Sequence, residues 1–249
     1  MSRVVMLSGP SCVGKGPLYK ALKAFYPELA HRLKQIVLYN DREVRPGEAE
    51  GIDYYFRPRA EIEKLAAQPG FITVVVRDDL QALEIAQLTR IMDEGLDPFF
   101  EGNPFIPAQL RESGVLADLP TLTVFLSPLS REEILYLKDP VRKVDLGKFV
   151  QDVQRRKLLR RTQKAKENLS LKDLENIEKR SASAIVEMRE AWKFDYIIPL
   201  YDGEAHENWD AFYYPIGSAR KAVGVFAALL RGEKPTEGVE HWEEDLIPE

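Results

Sequence analysis

Cysteine is almost missing from this chain. Its 249 residues include one, Cys12, so an internal disulfide is excluded. A lone thiol suits a reducing compartment and predicts a cytoplasmic protein. Histidine is scarce as well. His31, His206 and His241 lie far apart without metal-ligand spacing, so no structural metal is expected. No apolar run approaches the roughly 20 residues needed to cross a bilayer. The first residues lack the basic and apolar regions of a signal peptide. Excess positive charge is also absent. Thirty-five basic against 40 acidic residues give −5, which argues against a nucleic-acid coat. No internal repeat is apparent. The chain is long enough for one large domain, or for one domain with inserted lobes.

What is present begins at residue 9. Gly9-Pro10-Ser11-Cys12-Val13-Gly14-Lys15 follows the apolar run Val4-Val5-Met6-Leu7 and precedes a helical stretch over Leu18 to Phe25. A strand, a glycine-containing loop and a helix start aim several backbone N–H groups at one spot, which the lysine ammonium also reaches. The helix adds its N-terminal partial positive charge. This predicts a polyphosphate site, most often that of a nucleoside triphosphate. Gly16 and Pro17 stand where a hydroxyl would help hold Mg²⁺ or a phosphate oxygen, so weaker triphosphate binding is expected. Cys12, inside the loop, reads either as a small residue filling a tight turn or as a thiol made reactive by the helix terminus.

Apolar β-rich segments recur at 4–7, 36–39, 71–76, 98–101, 121–126 and 196–200, with helical stretches between several of them. That alternation predicts an α/β fold with a mainly parallel sheet. Ser130-Arg131-Glu132-Glu133 and Ser170-Leu171-Lys172-Asp173 read as helix-capping boxes, the second opening one long helix to about Trp192. Residues 201–218 are rich in aromatics. Residues 233–249 read as an acidic tail, flexible or packed through Trp242.

A second cluster runs from Arg42 to Phe56, directly after the second predicted strand. Arg42 and Arg45, three apart beside a Pro46-Gly47 turn, suit a double clamp on a dianionic phosphate, with a phenol hydrogen bond from Tyr54.

Together the two clusters resemble the guanylate kinase family. Its phosphate loop has the form GPSGVGK, matched by Gly9 to Lys15 with Cys12 in place of glycine. Its R-x-x-R-P-G-E-x-x-G-x-D-Y-x-F is matched without a gap from Arg42 to Phe56. Residues 124–133, 177–180 and 194–198 resemble it moderately. The resemblance implies a P-loop NTPase-type, mainly parallel five-stranded sheet flanked by helices, with an inserted monophosphate-binding lobe and a lid. The boundaries expected are a core of 1–39, 91–138 and 181–232, a lobe at 40–90 and a lid at 139–180. It further implies ATP and a nucleoside monophosphate as substrates, with Mg²⁺ held mainly through phosphates and water. Residues Gly9 to Gly16 would bind ATP, and Lys15 would stabilise the transferring phosphoryl group. Arg180 would bridge donor and acceptor, and Arg160 or Arg161 would serve from the lid. Arg42, Arg45 and Tyr54 would hold the acceptor phosphate, and Glu101 would organise Mg²⁺ through water.

The family's guanine-reading serine, glutamate and aspartate correspond here to about Leu38, Thr73 and Asn103. Its aromatic-plus-glycine phosphate motif gives way to Arg77-Asp78-Asp79-Leu80-Gln81-Ala82, so Arg77, Gln81 and Asn103 become candidates for reading the acceptor. Three readings stay open: a kinase of GMP, which leads, a kinase of another phosphorylated small molecule, and a binding module without catalysis.

Overall fold

A computed structural model describes residues 2–45 and 47–248. Pro46, assigned above to the turn beside the clamp, lies outside the described residues. The elements run β1 (Val4–Ser8), α1 (Lys15–Phe25), α2 (Pro27–Ala30), β2 (Leu33–Gln35), β3 (Leu38–Asn40), β4 (Tyr54–Phe56), α3 (Arg59–Ala66), β5 (Phe71–Val76), β6 (Asp79–Glu84), α4 (Ala86–Asp93), β7 (Asp97–Gly102), α5 (Phe105–Glu112), β8 (Thr121–Ser127), α6 (Arg131–Lys138), α7 (Leu146–Ala165), α8 (Leu171–Ala182), α9 (Ala184–Arg189), β9 (Tyr196–Pro199) and α10 (Gly217–Leu230). The five-stranded parallel sheet has the order β2-β7-β1-β8-β9 and is flanked by helices. No helix of the described residues is long and apolar enough to cross a membrane.

The chain forms two compact units, residues 1–6 with 32–122, and residues 7–31 with 123–249. The first contains a second sheet, of order β4-β3-β6-β5. Phe71–Val76, expected as a strand and placed by the resemblance within the lobe at 40–90, pairs antiparallel with Asp79–Glu84, a strand not expected from the sequence, from Phe71 opposite Glu84 to Val76 opposite Asp79. The segment read as a strand at 36–39 is strand only from Leu38, in β3, and the parallel sheet takes instead the preceding β2, which ends at Gln35. The physical reason for the hairpin lies in its two-residue turn. Arg77 (φ 52°) and Asp78 (φ 77°) both take the left-handed conformation, whose twist matches that of the flanking strands. Neither is glycine, so the usual sequence signal is missing. Ile72, Leu83, Leu88, Phe100, Ile106 and Leu110 form the centre of this unit's core.

In the second unit Phe125, Ile134, Val150, Met188 and Ile197 pack together with Trp242, Leu246 and Ile247. Trp242, Leu246 and Ile247 are therefore core, and Glu240 exchanges both backbone hydrogen bonds with Ile197, at 2.7 and 2.9 Å. Both capping boxes form, at Ser130 with Glu133 and at Ser170 with Asp173. The long helix expected from Ser170 to about Trp192 is instead broken at Ser183, between α8 and α9. There the Ser183 hydroxyl is engaged with Arg180 O (3.1 Å) and Glu187 Oε1 (2.8 Å), a local competition that loosens helices.

Candidate active site

The phosphate loop lies in the second unit, between β1 and α1. Two glycines make its shape possible. Gly9 has φ +148°, and a Cβ there would lie 2.5 Å from Leu126 O. Gly14 has φ +121°, and a Cβ would meet Leu200 Cδ2 at 2.8 Å and Asp202 O at 2.9 Å. Lys15 opens α1, and its buried ammonium curls back to donate to Gly9 O (2.6 Å) and Pro10 O (2.9 Å). Gly16 and Pro17 occupy the first turn of α1, where proline costs little. Arg180, from α8, reaches the loop and donates from Nε to Ser11 Oγ at 3.1 Å.

Cys12 is only 1% exposed. Its Sγ donates to Lys157 O at 3.3 Å. Burial, then the neighbouring Glu204 charge, pushes its thiol pKa up. The reactive-thiol reading is thereby corrected, because desolvation outweighs any pull from the helix terminus. Lys157 of α7 is desolvated enough that its pKa falls to about 8, and it donates to Leu200 O at 3.3 Å. On the same helix Arg161 binds Glu204 at 2.9 Å, while Arg160 stands 3.8 Å from Glu207.

The clamp residues lie in the first unit. Arg42 donates to both oxygens of Glu48, at 2.5 and 2.8 Å, and to Glu43 O at 2.8 Å. Its guanidinium lies 4.9 Å from the Tyr54 ring centroid and 5.5 Å from that of Phe56. Burial alone would lower the Arg42 pKa, but the Glu48 hydrogen bond and charge leave it raised. Arg45 shows the opposite balance: burial and the Arg42 charge beside it leave its pKa lowered. Two neighbouring like charges, on half-buried Arg42 and exposed Arg45, are the electrostatic condition for receiving an anion. Asp79, at the start of β6, has its pKa raised by burial despite Arg45, Arg42 and Arg77 nearby.

Nearby stands a set of carboxamides. Gln81 of β6 is 5% exposed, and its Oε1 accepts from Asn103 Nδ2 at 3.0 Å. Asn103 Oδ1 accepts from the Phe105 and Ile106 N–H groups at the start of α5. Asn40 of β3 is paired in register with Gln81. It is fully buried, its Oδ1 accepts from Arg42 N, and its Nδ2 has no partner among the described residues. Leu38 is buried opposite Tyr54, and Thr73 lies opposite Ala82. Glu101 is half-buried near the end of β7.

The family described as "Guanylate kinase" matches residues 1–145. The chain belongs to the guanylate kinase family. A "Guanylate kinase" of Haemophilus ducreyi is 28% identical over 200 residues, covering 80% of each chain. One from Rickettsia bellii is 32% identical over 99 residues, 39% of this chain and 50% of that protein. One from a Synechococcus species is 34% identical over 144 residues, 53% of this chain and 58% of that protein. The chain thus spans half to four-fifths of the length of these relatives. The crystal structure of guanylate kinase from Anaplasma phagocytophilum shares the fold, with a TM-score of 0.54 at 18% identity, covering 96% of this chain and 89% of that one.

Against the guanylate kinase pattern, one loop position acquires a meaning. Cys12 stands where the resembling motif has glycine, and its φ of +66° is one that glycine adopts without strain. The structure brings Ser11, Cys12, Lys15, Arg161 and Arg180 into one unit, and Arg42, Arg45, Tyr54, Arg77, Gln81, Glu101 and Asn103 into the other. Sequence reasoning gave no role to Glu48, Asn40, Lys157, Glu204 or Trp209. The pairing of Arg42 with Glu48 was within reach, since both belong to the matched motif. Asn40 also meets Arg42 locally, through its Oδ1, whereas Lys157, Glu204 and Trp209 are joined to the site only by long-range contacts.

Proposed function

We propose that the protein is a kinase transferring the γ-phosphoryl group of ATP to GMP. The observation that carries this reading is the phosphate loop itself: Lys15 stands inside it, Arg180 is bound to Ser11, and positive charge converges on one backbone cradle. Phosphoryl transfer is mostly positioning and charge neutralisation, and these groups supply both. In this reading Gly9 to Gly16 receive the triphosphate and Lys15 follows the charge of the migrating group. Arg180, with Arg160 or Arg161, neutralises what develops on the phosphoryl oxygens. Residues 40–90 act as the acceptor lobe and 139–180 as the lid. Arg42 and Arg45 clamp the acceptor phosphate, with Tyr54 beside them, and Gln81, Asn103 and Arg77 serve the base side with amide and guanidinium groups in place of carboxylates.

Mg²⁺ supplies further charge neutralisation when it arrives with ATP. Among the described residues no three His, Cys, Asp or Glu side chains gather to hold an ion. In this reading the ion is carried by phosphate oxygens and water, with Glu101 as an outer partner. The lone reduced thiol supports a cytoplasmic setting.

The test is ADP release from MgATP against a panel of GMP, dGMP, AMP, CMP, UMP and dTMP. Release with GMP above the rest is expected. Release with none of them, from folded protein, would overturn the assignment.

A further inference from the structure

The segment after β9 reaches into the phosphate loop. Its base is anchored at Asp202, which accepts from Ser218 Oγ (2.6 Å), Ala219 N (2.8 Å) and Asn208 Nδ2 (3.0 Å), tying the segment to the first turn of α10. Trp209 closes it by donating from its indole to Gly203 O at 3.0 Å. From this anchored strap three acids face α7. Glu204 pairs with Arg161 (2.9 Å), Glu207 with Arg160 (3.8 Å) and Asp210 with Lys164 (3.6 Å). Three cations of α7, Arg160, Arg161 and Lys164, are therefore met by acids of the strap.

Glu204 differs from the other two. Its side chain is 24% exposed, against 72% for Glu207 and 69% for Asp210. Its backbone N–H points at Cys12 O, 3.4 Å away, and a Cβ on the preceding Gly203 would lie 3.1 Å from that same oxygen. The carboxylate thus stands beside the loop that carries Lys15 and binds Arg180 through Ser11. Its pKa would be raised by burial, yet the charges of Arg161, Lys15 and Arg180 hold it below the usual carboxylate range. A carboxylate among these cations has the charge and hydrogen-bonding character of a phosphate oxygen pair.

We propose that Glu204 is a resident anion of the phosphate site, pinned there by the strap 202–210, and that a polyphosphate must displace it to engage Arg161. The strap is then a built-in competitor of the donor. Its displacement also releases the ion pairs along α7, so that donor binding loosens the lid helix from residues 204–210. This rests on reading residues 9–15 as the donor site.

The experiment is calorimetric titration with inorganic tripolyphosphate at fixed salt, on the full chain. Glu204→Gln keeps the shape and removes the charge. It should bind on the order of tenfold more tightly, because the binding-competent state no longer has to be won from the closed strap. The double variant Glu207→Gln/Asp210→Asn loosens the strap at exposed positions away from the loop and should tighten binding by about threefold. Equal or weaker binding by Glu204→Gln would overturn the proposal and leave Glu204 as a positioning partner of Arg161. Should that variant fail to fold, an unchanged double variant would overturn it alone. If the wild type does not bind tripolyphosphate, or if Lys15→Met binds it equally well, the donor-site reading itself fails and the proposal with it.

Discussion

Glu48→Gln tests whether Arg42 depends on its carboxylate partner. In the wild type Glu48 takes two hydrogen bonds from Arg42 and one from the Arg45 backbone N–H at 2.9 Å. The Arg42 and Glu48 side chains are 9% and 19% exposed. Removing one partner of a fully buried pair costs about 3–5 kcal/mol, whereas an exposed pair is worth about 0–1. This pair lies between, and glutamine retains one acceptor oxygen, so about 2 kcal/mol is expected, a fall in Tm of roughly 4–8 °C for a chain of this size. The pH dependence has a definite sign. The Glu48 pKa is lowered in the folded protein from 4.5, against burial, by Arg42 and the Arg45 N–H. A depressed carboxylate stabilises above its unfolded pKa, and that contribution is lost as pH falls through the folded pKa. The gap in Tm between wild type and variant should therefore be full at pH 7 and shrink below about pH 4.5. In the ADP-release assay the acceptor KM should rise more than kcat falls, since Arg42 loses the partner that fixes its orientation. A Tm at pH 7 within a degree of wild type, together with an unchanged KM, would refute the reasoning.

Lys15→Met should abolish ADP release while circular dichroism remains that of the wild type, because a linear apolar chain fills the same space; surviving activity would remove the loop from the mechanism. Gly14→Ala places a methyl group 2.8 Å from Leu200 Cδ2 at a φ of +121°. Strain and overpacking together should cost about 3 kcal/mol and lower Tm by roughly 6–12 °C, which a thermal melt would show. Cys12 should resist a thiol reagent at pH 7.5 in the folded protein and react fully in denaturant, since it is buried with a raised pKa; rapid labelling of the native state would contradict that. Arg42→Ala should raise the acceptor KM and lower kcat, and an unaltered acceptor response would take the clamp out of the reaction.

Much of this was legible because two stretches of chemistry are local in sequence. Residues 9–15 and 42–56 carry their turns, charges and aromatics within single short runs. Other parts left no such trace. The hairpin at Arg77-Asp78 lacks glycine, so β6 and its pairing with β5 were not anticipated. Asn40 reads simply as the end of a strand, and its buried amide gains meaning only when β6 brings Gln81 opposite. Glu204 and Arg161 are 43 residues apart, and no periodicity joins them. The continuous helix expected after Ser170 failed because the Ser183 hydroxyl engages its neighbours, a competition invisible to hydrophobic patterning.

The contacts that shape the phosphate loop also bear on how it is made. Seven residues compose it, yet Ser11 meets Arg180 across 169 positions, Cys12 meets Lys157 across 145, and Gly14 packs against Leu200 and Trp209. Such separations give a high contact order, for which loop-closure entropy must be met before the contacts repay it. The segments that complete the loop's surroundings all follow it at long range in the chain, so contact order places their docking late. A nucleotide therefore has no finished cradle to hold while the chain is still gathering, and cannot act as an early template for folding.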